Sequence, residues 1–144
     1  MKVYKRSFFI PGNVPSSKNS KRVVRHGSRT LVISSKQTMN YIKSTEAAWV
    51  ISGKFFSRLI SGMSKPLVVE FEFVRDSHRK FDYINPAQTV QDLMVRYGWI
   101  DDDNCDEIIP VFLPYRYDKK NPGVYINIEI DYERYKDIAG GEFL

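Results

Sequence analysis

Between Pro66 and Arg75 the chain reads "PLVVEFEFVR", with Val69, Phe71 and Phe73 alternating with Glu70 and Glu72. Successive side chains on a strand point to opposite faces, so this alternation demands a half-buried strand. "GVYINIEI", from Gly123, repeats the demand: Ile126, Ile128 and Ile130 alternate with Tyr125, Asn127 and Glu129. Two further stretches, "VYKRSFFI" near the start and "EIIPVFLPYRY" from Glu107, have strand composition, and "KRVVRHGSRTLVI" reads as a hairpin turning near His26-Gly27-Ser28.

Two segments carry a helical period instead. "SSKQ", Ser34 to Gln37, has the spacing of a capping box, and Met39, Ile42 and Trp49 follow at helical intervals, predicting a helix from about Lys36 to Ile51 that extends toward Leu59. In the second, Asn85 and Pro86 suit a helix start, Val90, Leu93, Met94 and Tyr97 form its apolar stripe, and Gly98 suits a left-handed exit. Strands and helices are interspersed without a βαβ rhythm. The expected fold is α+β, a single domain over residues 1–144 with a mixed β-sheet packed with two main helices. Trp49 and Trp99 are assigned to its core. A chain of 144 residues can bury roughly 68–70% of its unfolded surface, so a core needs no staples. The lone Cys105 excludes an internal disulfide, and with two histidines it excludes the usual zinc cages. No apolar run approaches the roughly 18 residues of a membrane span, and the start lacks a signal peptide's apolar region, so a cytoplasmic protein with no membrane partner is expected.

Charge is unevenly spread. Ten bases precede the first acid, Glu46, although the formal net charge is only +5. Such a basic segment attracts polyanions, of which nucleic acid is the commonest in cells; the alternative is a basic face that aids solubility. Acids gather elsewhere. Asp82 precedes the second helix and Asp101-Asp102-Asp103 follow it. Either these are ordinary turn residues or they converge on a cation. Convergence requires the chain after Gly98 to double back along a helix of about 18 Å. Carboxylates so gathered suit Mg²⁺ or Mn²⁺, hard cations that support phosphodiester cleavage.

The segment "RKFDYINPAQTVQDLMVRYGWIDDDN" resembles one in the RusA-type Holliday junction resolvases, small homodimeric Mg²⁺-dependent endonucleases of phage and prophage origin. The family form is Asp-x-Asp-Asn, a helix ending at Gly, and an Asp-Asp pair soon after. "PGNVPSSKNS" and "ISSKQTMNYI" resemble, more loosely, the family's opening loop and its entry to the first helix. The resemblance implies catalytic Asp82 and Asp103, and a metal held by Asp82, Asp102, Asp103 and Asn85. It departs at two positions: the family's second aspartate is Ile84, and a lysine expected on the helix's first turn is Gln88. Asn85, Asp92, Asp101 or Asp102 are then candidates for the missing oxygen. Lys18, Lys21, Arg22, Arg25, Arg29, Arg79 and Lys80 fall where DNA would lie, and Phe81 or Tyr83 beside Asp82 could stack on an unpaired base.

Three functions follow as expectations. One is a dimeric nuclease that resolves four-way junctions in recombination and repair. Another is a branched-DNA-binding protein whose metal site has eroded at Ile84 and Gln88, and the third is a module whose basic face meets an acidic protein. The role of the final stretch "YERYKDIAGGEFL" stays open.

Overall fold

The computed structural model describes residues 3–19, 21–131 and 133, so "YERYKDIAGGEFL" lies outside the described residues except for Glu133. The elements run β1 (Val3–Pro11), a single 3-10 turn (Ser17–Asn19), β2 (Lys21–His26), β3 (Arg29–Ser34), α1 (Lys36–Ile60) and β4 (Leu67–Arg75). They continue with α2 (Ile84–Arg96), β5 (Ile108–Phe112), β6 (Arg116–Tyr117) and β7 (Gly123–Asp131). Among the described residues one sheet has five strands in the order β1-β7-β4-β5, with β6 also on β4, and β2 and β3 form a separate ribbon. The fold is α+β and the sheet is mixed: β4 runs antiparallel to β7 but parallel to β5 and β6.

The alternation in the sequence sets the layers. Val69, Phe71 and Phe73 of β4 and Ile126, Ile128 and Ile130 of β7 are buried in one core with Trp49 and Phe56 of α1, Leu93 and Met94 of α2, and Trp99. Glu70 and Glu72 face the other way and meet Lys5 at 2.7 Å and Arg116 at 2.8 Å. Exposed pairs of this kind contribute about 0–1 kcal/mol each, so burial of the apolar face decides the register.

Helix α1 starts at Lys36 as the sequence predicts, but its cap differs. Ser35, not Ser34, caps α1: its Oγ accepts the Thr38 N–H at 3.2 Å. Ser34 is still paired with Lys21 in the ribbon, which leaves the capping to Ser35. Met39 is half-exposed, and the buried face is Thr38, Tyr41, Thr45, Trp49, Gly53, Phe56 and Leu59. Thr45 is tolerated there because its hydroxyl donates to the Tyr41 carbonyl at 2.7 Å and accepts from Trp49 Nε1 at 3.1 Å. Ser35→Ala should lower stability by about 1 kcal/mol, read as a shift of the denaturant midpoint at constant slope.

Helix α2 begins at Ile84, so Asn85 lies inside its first turn instead of capping it; the Asn85 N–H donates to the Asp82 carbonyl at 3.1 Å. Gly98 leaves the helix at φ +77°, as the sequence requires. "EIIPVFLPYRY" is two short strands, interrupted at 113–115, where Pro114 has no N–H to donate.

Candidate nucleic-acid interface

The loop 12–16 is fastened from three sides. Thr89 Oγ1 of α2 donates to the Pro15 carbonyl at 2.9 Å, Arg75 Nη1 donates to the Val14 carbonyl at 2.8 Å, and Asn13 exchanges two bonds with Asp76. Between this loop and the segment 79–86 opens a cleft of about 720 Å³ lined by Asn13, Ser16, Gln37, Arg75, Arg79, Lys80, Asp82, Asn85 and Tyr115, among others. Asp82 and Asn85 therefore share one cleft with three cations. Lys18, from the 3-10 turn, approaches Asp82 at 3.9 Å, with both side chains well exposed.

Phe81 and Tyr83 are half-buried and form the cleft's aromatic wall. Phe81 packs edge-on against Tyr83 at 5.1 Å and Tyr115 at 5.3 Å, and Tyr83 stacks on Phe112 at 5.7 Å. The Tyr115 N–H donates to the Tyr83 hydroxyl at 3.0 Å, which ties the loop after β5 to this wall.

The three consecutive aspartates point three ways. Asp101 pairs with Lys65 at 3.3 Å, and Lys65 also reaches Glu107 at 2.6 Å; these bonds raise the Lys65 pKa, with Glu107 the larger cause. Asp102 turns onto its own loop. Its oxygens accept the Asp103 N–H at 2.8 Å and Asn104 Nδ2 at 3.0 Å, which hold its carboxyl below the usual range. Asp103 alone of the three reaches back to α2, where Gln88 Nε2 donates to it at 3.2 Å and to Asp92 at 2.8 Å. The chain after Gly98 does double back. Gln88 stands about one turn beyond Asn85, and neither Gln88 nor Asp103 lines the cleft that holds Asp82.

The positions that depart from the resemblance have clear surroundings. Ile84 is 68% exposed and is not part of the cleft lining. Gln88 supplies a neutral amide between two carboxylates, so it bridges them without neutralising them. Among the described residues no group of three or more acidic, histidine or cysteine side chains converges. The oxygens available suit a hard cation held by one or two carboxylates together with water and a substrate phosphate, not a cage built wholly from protein.

Lys21, Arg22, Arg25 and Arg29 lie on the ribbon, all exposed, while Arg79 and Lys80 lie in the cleft itself. Sequence reasoning missed Arg75. It is the last residue of β4, its guanidinium sits 4.8 Å over the Phe81 ring, and burial works to lower its pKa while Asp76 opposes this. Its place at the end of an alternating strand, just before an Asp, was the available signal.

No family model matches the chain, and no curated protein matches it. Among the described residues no helix is long and apolar enough to cross a membrane.

Proposed function

We propose that the chain is a metal-dependent, structure-selective endodeoxyribonuclease of the RusA type, resolving four-way DNA junctions in recombination and repair as a symmetric dimer. The observations that support this reading are a cleft that combines Asp82 and Asn85 with Arg75, Arg79 and Lys80, and the return of Asp103 to α2 at Gln88, about one turn beyond Asn85. Cations alone would make a binding surface. Carboxylates set among them oppose binding to a polyanion, and the nuclease reading accounts for that cost because a cation recruited there offsets it. Two-fold symmetry fits the substrate, since resolution requires nicks on two opposed strands.

In this reading Arg79 and Lys80 hold the scissile phosphate and Arg75 buttresses the wall beneath it. Lys18, only loosely paired with Asp82, transfers to a phosphate when DNA arrives. Asp82 and Asp103, with the Asn85 amide oxygen, would hold Mg²⁺ or Mn²⁺, which supplies charge neutralisation at the phosphate and a more acidic water. The Asp102 and Asn104 bonds fix the turn that presents Asp103.

One observation favours a second reading, a branched-DNA-binding protein that does not cut. Gln88 bridges Asp92 and Asp103 with a neutral amide, and exposed Ile84 offers no oxygen. Gel retention of a four-way junction in EDTA, competed with linear duplex of the same sequence, tests what both readings share. About tenfold or greater preference for the junction is expected. Equal competition by the duplex would remove structure selectivity, and weak retention even at low salt would favour an acidic protein as partner.

A further inference from the structure

The β2–β3 ribbon stands apart from the main sheet, tied to the body at its base. Its register places Lys21, Val23 and Arg25 on one face with Ser34, Val32 and Thr30, and Val23 lies directly opposite Val32. Those two valines are 67% and 64% exposed, an apolar pair that no element of the described chain covers. Arg22, Val24, His26, Arg29, Leu31 and Ile33 share the other face, where Val24 and Ile33 are partly covered. No acid stands among residues 21–34, and among the described residues no ion pair engages Lys21, Arg22, Arg25 or Arg29.

We infer that this ribbon is a duplex-reading arm, lying in the major groove of one DNA arm of the branched substrate; this rests on the function proposed above. Charge and size select the occupant. A ribbon rich in arginine and free of acid matches a polyanion. Two strands about 4.8 Å apart, with their side chains, fit a groove about 12 Å wide and not a minor groove of about 6 Å. Six residues per strand span about 20 Å, a little over half of the roughly 34 Å turn of a duplex. The short Val23–Val32 pair meets thymine methyls and sugar edges on the groove floor, and the long basic side chains reach the phosphates on either rim. The ribbon begins three residues after Lys18, which stands at Asp82, so the arm extends from the candidate site along one duplex.

Dimethyl sulfate probing of guanine N7 on a four-way junction with long arms, with the wild-type chain bound in EDTA, tests the arm directly. Protection is expected in the major groove within one helical turn of the branch point. The double variant Val23→Glu, Val32→Glu, its fold checked by circular dichroism, should lose that protection and bind about tenfold or more weakly. Independently, Arg22→Ala with Arg25→Ala and Arg29→Ala should reduce the slope of log affinity against log salt by about 0.9 for each phosphate that is no longer neutralised. Junction binding with no N7 protection, or protection unchanged in the valine variant, overturns the arm. Metal-dependent nicking alongside that result would leave the nuclease reading standing, whereas no retention of DNA by the wild-type chain overturns both. Self-association that the valine substitutions abolish while junction binding stays intact would also overturn the arm, because the ribbon would then join two copies of the chain.

Discussion

Asp82→Asn should abolish junction cleavage and leave junction binding intact or slightly stronger. Asparagine keeps the shape of the side chain and removes its charge. In the proposed mechanism that charge recruits a cation that stabilises the transition state by several kcal/mol, and each 1.36 kcal/mol is a tenfold change in rate. The expected loss is therefore about 10²–10³-fold in single-turnover rate. Binding should not suffer, because Asp82 is an exposed acid among cations and its removal frees Lys18 for phosphate. The aspartate triplet supplies an internal control. Asp103→Asn should match Asp82→Asn, while Asp101→Asn, on a residue that faces Lys65, should change cleavage by no more than about threefold. A variant at Asp82 that loses binding together with cleavage would assign the residue to folding, and equal effects across the triplet would mean that orientation toward α2 does not matter.

Gly53→Ala should destabilise the protein even though alanine is the better helix former by about 1 kcal/mol. A Cβ at Gly53 would stand 2.6 Å from Trp99 Nε1 and 2.7 Å from its Cδ1. Trp99 has little room to yield. It is 1% exposed, donates to the Trp49 carbonyl at 2.9 Å, and meets Phe8, Phe56 and Trp49 at ring distances of 5.7, 5.0 and 5.3 Å. Overpacking of this kind costs about 1–3 kcal/mol net, so the clash outweighs the propensity gain. Trp99→Ala should cost about 3–5 kcal/mol by leaving a cavity. In that background the sign at residue 53 should reverse, since the new methyl enters vacated space and the propensity gain of up to about 1 kcal/mol remains. Denaturant unfolding of the four proteins in this cycle measures the coupling, and simple additivity would show that the packing of Gly53 on Trp99 does not limit the approach of α1.

What the sequence makes legible follows from how local each signal is. The alternation in "PLVVEFEFVR" and "GVYINIEI" requires only neighbouring residues, and both strands lie where it puts them, with the predicted faces buried. Gly98 is equally local, as the helix exit needs a positive φ there. Helix α1 starts at Lys36, where the sequence puts it, but Ser35 takes the cap because Ser34 answers to a strand partner, Lys21, that no helix-capping rule sees. Its buried face differs because Thr38 and Thr45 are polar by type, although Thr45 closes its hydrogen bonds inside the helix.

The candidate site is legible in its residue types and illegible in its directions. Three adjacent aspartates look alike in a sequence, yet Asp101, Asp102 and Asp103 answer to Lys65, to their own turn and to Gln88. Those partners come from residues 65, 104 and 88, so only the path of the chain after Gly98 separates them. Arg75 escapes for a similar reason. Its role at the cleft depends on a loop fastened to it and to its neighbour Asp76 from residues 13 and 14, about sixty positions earlier.

Whether the cleft at the start of α2 cuts branched DNA with the help of a metal is decided by a cleavage assay. An end-labelled four-way junction and a linear duplex of the same sequence are incubated with the wild-type chain in Mg²⁺, in Mn²⁺ and in EDTA, and the products are resolved on a denaturing gel. Paired nicks on opposed strands of the junction alone, present with either metal and absent with chelator, are the expected result. Retention of the junction without a nick at any concentration of either metal would refute the nuclease reading, and would leave a protein that recognises branched DNA without cutting it.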